Sequence, residues 1–159
     1  MPTGADPATC GYGEVVIWFL RHGDAEDSGG DDAARRLTAK GERQARDAGR
    51  ALARLDVTID ACLASPKVRG LATAELACEA LGVTAEAASG LRGGDFDPAE
   101  LTVGRGDVLL VGHEPDFSRA IQRTTGARVT MKKGGLAAVE DGVLVSLVRP
   151  RQIRAIADG

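Results

Sequence analysis

The sequence predicts a single α/β domain in which helices pack on a largely parallel sheet. Short β-branched apolar runs alternate with longer segments whose apolar residues recur at helical spacing, which is the pattern of such domains. The length of 159 residues is within the usual range of one domain. A hydrophobic fraction of 43% and a charged fraction of 27% are typical of a globular protein with a real core.

The first strand is predicted over residues 14–20, an apolar run with β-branched and aromatic side chains that is too short for a helix. Arg21-His22-Gly23 follows it directly. A helix is predicted to begin after Thr38, because threonine is a favourable N-cap and an apolar stripe follows it at helical spacing. The residues of this stripe are Ala45, Ala48, Leu52 and Leu55.

A second strand and helix are predicted on either side of Ser65-Pro66. Residues 59–64 form a short apolar run, and a serine followed by proline is typical of an N-cap and the first helical position. The helix is therefore expected to begin at Pro66 and to end at Gly82. Its inward face would carry Leu71, Ala74, Cys78 and Leu81.

The next part of the chain contains a weak strand candidate and a clear one. Residues 83–91 are the weak candidate, and Asp97-Pro98 is expected to start one short helix. Residues 107–112 are continuously apolar after the first position and predict a buried strand that ends at His113. A helix is expected to follow it. The residues that mark this helix are Phe117, Ala120, Ile121 and Thr124.

The chain is predicted to close with a β-hairpin. Residues 135–139 and 143–148 are strand-like runs, and Asp141-Gly142 between them is a typical tight-turn pair. Two antiparallel strands are therefore expected at one edge of the sheet.

The segments outside this pattern predict tails and one loop. We expect a domain over residues 14–150, with an N-terminal tail over residues 1–13 and a C-terminal tail over residues 151–159. Gly29-Gly30 and Asp31-Asp32 predict a flexible, solvated loop.

Charge and hydropathy argue against nucleic acid and membrane as partners, and the cysteine pattern argues against a metal site. A net charge of -3 gives no electrostatic reason to expect nucleic acid or an anionic membrane. The longest apolar run, residues 15–20, is far shorter than the roughly 20 residues that span a bilayer, so no anchor or signal peptide is expected. The cysteines Cys10, Cys62 and Cys78 are odd in number and lack metal-ligand spacing. We therefore expect a cytoplasmic protein without a metal or other cofactor.

Three predicted strands end at residues that can bind an anion. Arg21-His22 follows the first, Ser65 leads from the second to Arg69, and His113 follows a later one. Ligands of open α/β sheets bind outside the carboxyl ends of the strands. A single histidine at a strand end is more often a core or turn residue than a ligand-binding one, and a single arginine is more often a solvated surface charge. Both histidines of the chain together with two arginines favour a site.

A phosphoryl group is the anion that this combination suits. It needs donors on several oxygens at once, and arginine supplies them in a planar fork that stays charged near neutral pH. Arg21 and Arg69 fit that task. Arg69 would also lie in the first turn of a helix, where free backbone N–H groups favour an anion.

The chain resembles the histidine phosphatase superfamily, also called phosphoglycerate mutase-like, from about residue 15 to residue 148. The shared motifs are Arg21-His22-Gly23, Ser65-Pro66-x-x-Arg69 and Gly112-His113. The finer pattern resembles the SixA branch of small bacterial phosphohistidine phosphatases. Its motifs are Arg36-Leu37-Thr38-x-x-Gly41, Ser65-Pro66-x-x-Arg69-x-x-x-Thr73-Ala74, Gly112-His113-Glu114-Pro115 and Lys132-Lys133-Gly134-Gly135.

This resemblance implies a fold and a set of roles. The fold would be a three-layer α/β/α sandwich with a mostly parallel central sheet and no large cap insertion. His22 would be the nucleophile that forms a transient phosphohistidine, and Arg21, Arg69 and His113 would bind the phosphoryl group. Neutral imidazole can attack phosphorus without first losing a proton, provided that its other nitrogen donates to an acceptor such as a backbone carbonyl. A protonated His113 would add positive charge at the phosphoryl oxygens.

The general acid of larger superfamily members has no counterpart at the expected place. Many of them carry a glutamate where this chain reads Leu91-Arg92-Gly93. Its absence puts hydrolysis of poor leaving groups in doubt and is associated with the SixA branch. Substitute proton donors are Asp24, Asp95 and Glu114, although Glu114 is equally suited to capping a helix that begins at Pro115.

The resemblance therefore implies a metal-independent phosphohistidine phosphatase that acts in signal transduction on a protein, such as a histidine phosphotransfer domain. Two alternatives stay open. One is a phosphatase of a small phosphorylated metabolite, nucleotide or polyphosphate, and the other is a phosphate-binding module without catalysis.

Overall fold

The computed structural model describes residues 15–27 and 29–159. The predicted N-terminal tail, the first residue of the predicted first strand and Cys10 lie outside these residues.

The described chain alternates strands and helices as expected. The strands are β1 (Val16–Arg21), β2 (Ala61–Ala64), β3 (Ala85–Ala87), β4 (Val108–Gly112), β5 (Leu136–Glu140) and β6 (Val143–Val148). The helices are α1 (Ala39–Arg54), α2 (Val68–Leu81), α3 (Pro98–Thr102), α4 (Asp116–Thr125) and α5 (Pro150–Asp158).

The six strands form one mixed sheet in the order β3-β2-β4-β1-β5-β6. The first four of these run parallel, β5 is antiparallel to β1, and β6 pairs antiparallel with β5. The predicted closing hairpin is therefore confirmed at the sheet edge. Asp141 and Gly142 both have positive φ, at 52° and 72°, as a tight hairpin turn requires.

Helices cover both faces of the sheet, which confirms the three-layer α/β/α arrangement. Successive side chains of a strand point to opposite faces, and in β1 the buried Leu20 and Phe19 enter different cores. One core lies beneath α1, α2 and α5 and contains Leu20, Leu52, Ala74, Leu109 and Ile153. The other lies beneath α3 and α4 and contains Phe19, Leu110, Phe117, Ile121 and Met131.

The start of α1 is as predicted, and the start of α2 is not. Thr38 caps α1 by accepting a hydrogen bond from the Gly41 amide. Helix α2 begins at Val68, with Lys67 in the N-cap position, rather than at Pro66. The reason is that the Ser65 hydroxyl accepts from the Lys67 amide at 3.2 Å and turns the chain before the helix starts. Gly82 ends α2 in the left-handed conformation, as predicted.

The prediction of a C-terminal tail over residues 151–159 is wrong. Residues 150–158 form α5, and Ile153 and Ala157 are buried in the core beside α1. These two residues are four positions apart and so share one face of the helix. A proline in the first turn favours this helix start.

The weak strand candidate over residues 83–91 is shorter than expected. Only Ala85–Ala87 joins the sheet, and a 3-10 turn at Ser89–Leu91 places the Leu91 side chain in the core. The short helix at Asp97-Pro98 is confirmed as α3, with the Asp97 carboxylate as its cap.

The contact between α1 and α2 leaves no room for a side chain at Gly49. A Cβ atom built there would lie 2.1 Å from the Ala77 carbonyl oxygen, which belongs to the backbone of α2. Alanine normally improves a helix interior by about 1 kcal/mol over glycine. Here we expect Gly49→Ala to lower the free energy of unfolding by about 2 kcal/mol, because the helices must separate.

Urea denaturation of the two proteins measures this change. Arg50→Ala, next along the helix and exposed, is the matched control and should stay within about 0.5 kcal/mol of the parent. A Gly49→Ala protein as stable as the parent would show that the helices are not in backbone contact.

Candidate active site

The ends of the three parallel strands bring the predicted residues together. Arg21 of β1 lies opposite Gly112 of β4, and the His22 amide donates to the Gly112 carbonyl at 3.0 Å. The Ser65 amide, after β2, donates to the carbonyl of Val111 at 2.9 Å. The expected convergence of strand ends is therefore present in the structure.

The two imidazoles lie close together and beside an arginine. The ring centroids of His22 and His113 are 5.2 Å apart, and both residues are buried. The Arg69 Nε atom lies 3.4 Å from His22 Nε2. We call the surroundings of His22, His113 and Arg69 the catalytic pocket, after the role predicted for these residues, and Arg21 lies beside it at the end of β1.

The tautomer of His22 is determined by its neighbour. His22 Nδ1 lies 2.7 Å from the carbonyl oxygen of Gly23, which can only accept, so Nδ1 carries the proton. Nε2 is therefore unprotonated, and its lone pair accepts the 3.4 Å hydrogen bond from Arg69 Nε. Burial, together with the charges of Arg69 and Arg21, lowers the pKa of His22 to about 4 and keeps the ring neutral near pH 7.

A glycine is required directly after His22. A Cβ atom at Gly23 would lie 2.5 Å from the carbonyl oxygen of Gly41 in α1. The Gly23 amide donates to the Thr73 hydroxyl at 3.1 Å, and that hydroxyl donates to the Arg69 carbonyl at 2.7 Å. The loop that carries His22 is thus attached to both α1 and α2.

Arg69 is held by Asp32, which belongs to the segment predicted to be a solvated loop. The segment is exposed as predicted, but Asp32 begins a 3-10 turn capped by Asp31. Arg69 donates to the Asp32 carbonyl at 2.7 Å, and the carboxylate accepts from Arg69 at 3.2 Å and from Lys67 at 3.0 Å. Hydrogen bonds from Lys67 and Arg69 hold the pKa of Asp32 far below its usual range. No spacing in the sequence links Asp32 to Lys67 and Arg69, which are 35 and 37 positions away.

Arg21 is half-buried and anchored at one end. Its guanidinium donates to the Met131 carbonyl at 2.9 Å, which fixes its direction along the loop before β5. Burial lowers the pKa of Arg21, and the nearby charge of Glu114 opposes that shift.

His113 is buried and forms a hydrogen bond with Ser65. A hydrogen bond of 2.7 Å links His113 Nε2 and the Ser65 hydroxyl, so this serine serves the pocket as well as the turn before α2. Burial, with the charges of His22 and Arg69, lowers the pKa of His113 to about 3. His113 is therefore neutral near pH 7 until an anion enters, because a nearby dianion would raise its pKa.

Each of the candidate proton donors has structural partners. The Glu114 carboxylate accepts from the amides of Ser118 and Met131 and from the Ser118 hydroxyl, which supports its capping role at α4. The pKa of Asp24 is lowered by a hydrogen bond from Thr38 and by Lys133, so it is held as a carboxylate. Asp95 forms an exposed ion pair with Arg123 at 3.4 Å.

The two buried histidines predict a pH dependence of stability. Their pKa values of about 4 and about 3 lie below the ordinary 6.5, so the unfolded chain takes up protons first as the pH falls. The free energy of unfolding should therefore decrease between about pH 6.5 and pH 4, by on the order of 3 kcal/mol for His22 alone. Carboxyl groups contribute mainly below this window.

Urea denaturation across this pH range measures the slope. These are the only histidines of the chain, so the double variant His22→Gln/His113→Gln should lose most of the slope. An equal slope in parent and double variant would contradict the buried, neutral state of both rings.

Two other findings concern the described residues outside the pocket. None of the helices within residues 15–27 and 29–159 is long and apolar enough to cross a membrane. Cys62 and Cys78 are free and buried, as expected for small apolar side chains.

Comparisons with known proteins agree with the motifs. Residues 17–124 match the histidine phosphatase superfamily (branch 1). An uncharacterised protein of Picosynechococcus sp. is 31% identical over 142 residues, which is 80% of this chain and 86% of that protein.

Solved structures share the fold at lower identity. The protein histidine phosphatase SixA in complex with tungstate is 22% identical with a TM-score of 0.74, over 86% of this chain and 97% of that chain. A phosphoserine phosphatase of Entamoeba histolytica in complex with 3-phosphoglyceric acid is 14% identical with a TM-score of 0.65, over 87% of this chain and 98% of that chain. At identities of 22% and 14%, these matches show that the fold is shared and nothing more.

Proposed function

Since the chain belongs to the histidine phosphatase superfamily (branch 1) and is a phosphatase, we propose that it removes phosphoryl groups from phosphohistidine in a protein partner. The observation that carries this proposal is the His22 ring, whose Nε2 lone pair faces Arg69 while Nδ1 is held by the Gly23 carbonyl. Free buried thiols fit a cytoplasmic site of action.

The first step is attack by His22 on phosphorus. The Nε2 lone pair forms a bond to phosphorus as the bond to the leaving nitrogen breaks, and the negative oxygens are held by Arg69 and Arg21. A dianion in the pocket raises the pKa of His113, so this ring can take up a proton and add positive charge.

The second step returns His22 to its starting state. Water attacks the phosphohistidine, and the bond between phosphorus and Nε2 breaks. Because the Nδ1–H group donates a hydrogen bond to the Gly23 carbonyl, Nδ1 keeps its proton, and His22 leaves as neutral imidazole rather than as an anion. The hydrogen bond from Nδ1 to the Gly23 carbonyl therefore supports both the attack by His22 and its release from phosphorus.

The surroundings of the pocket favour a leaving group that needs little acid catalysis. Asp24, Asp95 and Glu114 are all paired with other groups, so none offers a free carboxylic acid. A substrate phosphohistidine that is protonated on its distal nitrogen also leaves as neutral imidazole, whereas a sugar alcohol requires a proton donor. This difference favours phosphohistidine over phosphate esters of alcohols.

The test uses a protein that carries labelled phosphohistidine, such as a histidine phosphotransfer domain. Purified enzyme should release the label as inorganic phosphate at a kcat/KM far above that for phosphoserine or sugar phosphates. Retention of the label by the phosphoprotein, with active hydrolysis of small phosphate esters, would overturn the proposal.

A small phosphorylated metabolite is the second candidate substrate. The fold shared with a phosphoserine phosphatase that binds 3-phosphoglyceric acid favours it. In the same assay this alternative predicts that a small ester is the better substrate. Binding of phosphate without turnover of either substrate would instead indicate a non-catalytic module.

A further inference from the structure

We propose that a basic groove beside the catalytic pocket binds an acidic stretch of the protein that carries the phosphohistidine. The basic groove is a cavity of about 500 Å³. Its cationic side chains are Arg21, Lys40, Lys132, Lys133, Arg149 and Arg151. This inference rests on the proposed function and adds the kind of surface that the partner must present.

Arg21 lies both beside the catalytic pocket and in the lining of the groove. This residue lines the groove and directly precedes His22 in the chain. A phosphoryl group held at His22 therefore leaves the rest of its carrier close to the groove. The groove is thus placed to contact residues that neighbour the phosphohistidine.

The charges in the groove are unbalanced. Six cationic side chains face one acidic side chain, Asp24, which pairs with Lys133 at 3.5 Å. Lys40, Lys132, Arg149 and Arg151 form no ion pair with any residue in the described part of the chain. The whole chain has a net charge of -3, so this local excess is not a general property of the surface.

Two helices add to the positive potential. Lys40 is in the first turn of α1, and Arg149 and Arg151 flank the start of α5. Helix N-termini carry partial positive charge and unpaired N–H groups. Both helix starts lie at the carboxyl edge of the sheet, where the catalytic pocket is.

The spread of the cations favours a protein surface over a single small anion. A neighbouring cavity of about 240 Å³ shares Lys40 and Arg151 with the groove. Its lining adds Arg43 and Arg154 along α1 and α5, together with one acidic side chain, Asp47. One bound phosphate needs donors that converge on its oxygens. Here the cations other than Arg21 and Lys133 are exposed, and they come from separate elements along the surface, which suits several spaced carboxylates.

Two synthetic peptides with the same phosphohistidine test the proposal. One has aspartate and glutamate beside the phosphohistidine, and the other has lysine at the same positions. We expect at least about tenfold higher kcat/KM for the acidic peptide, mainly through KM, and loss of this preference at high salt.

The variant Lys40→Glu/Arg151→Glu should abolish the preference. Its kcat/KM for p-nitrophenyl phosphate should stay within about twofold of the parent, because neither residue lies in the catalytic pocket. Arg54→Glu, at the far end of α1, is the matched control and should keep the preference for the acidic peptide.

The outcomes separate the two proposals. Equal hydrolysis of both peptides by the parent enzyme would overturn the groove proposal alone. Failure to hydrolyse either peptide, with hydrolysis of p-nitrophenyl phosphate, would overturn the proposed function and the groove proposal with it. Stronger inhibition by a single-stranded oligonucleotide than by an unphosphorylated acidic peptide would overturn the groove proposal and would indicate that the groove binds nucleic acid.

Discussion

Replacing His22 with alanine should lower kcat by at least about 10³-fold, which corresponds to about 4 kcal/mol of activation free energy. The imidazole is the group proposed to form the covalent intermediate, and its unprotonated Nε2 atom accepts a hydrogen bond from Arg69 Nε at 3.4 Å. His113, the other imidazole of the pocket, has its Nε2 atom hydrogen-bonded to the Ser65 hydroxyl. The variant should therefore lose turnover rather than substrate affinity.

Rapid alkaline quenching with labelled substrate measures this directly, since phosphohistidine survives base. The parent should show label on the protein during turnover, and His22→Ala should show none. Thermal unfolding of both proteins serves as the folding control. Label on the His22→Ala protein at the parent level would place the nucleophile elsewhere.

Replacing Arg69 with alanine should lower kcat/KM by between about 10²-fold and 10³-fold, or about 3 to 4 kcal/mol. The guanidinium is buried in the pocket and binds Asp32 as well as facing His22. On the proposed mechanism its removal deletes a donor for the phosphoryl oxygens, and it also leaves the Asp32 carboxylate without one of its three cationic partners, Arg35, Lys67 and Arg69. That carboxylate would then repel the substrate.

The double variant Arg69→Ala/Asp32→Ala separates these two effects. It should recover part of the activity that Arg69→Ala loses, as measured by steady-state kinetics with p-nitrophenyl phosphate. Arg46→Ala, a distant and exposed ion-pair residue, is the control and should stay near the parent. A double variant no better than the single one would show that Asp32 contributes no repulsion.

The central part of this fold could be predicted because its signals are local. The strands β1 and β4 are continuous apolar runs, α1 has both an N-cap and an apolar stripe, and the turn before β6 contains Asp141-Gly142. Short strands followed by charged residues also predict that those residues meet, because parallel strands share one carboxyl edge. His22 and His113 meet for that reason.

The missed features depend on contacts between distant segments. Nothing near Asp32 indicates that its carboxylate reaches Lys67 and Arg69, because a 3-10 turn and the start of a helix must first fold against each other. Ser65 satisfies the rule for a helix cap, yet its hydroxyl also binds His113 and the helix starts later. The C-terminal helix has only a few apolar residues, and its stability comes from packing Ile153 into the core.

The pairing of Asp32 with Lys67 and Arg69 means that the pocket contains its own counter-ion. On the proposed mechanism, an arriving phosphoryl group would compete with a resident carboxylate for the same guanidinium and would bind less tightly than to an unpaired arginine. When inorganic phosphate departs, the carboxylate would already be in place to neutralise the arginine. We therefore expect weak product inhibition and rapid clearing of the pocket.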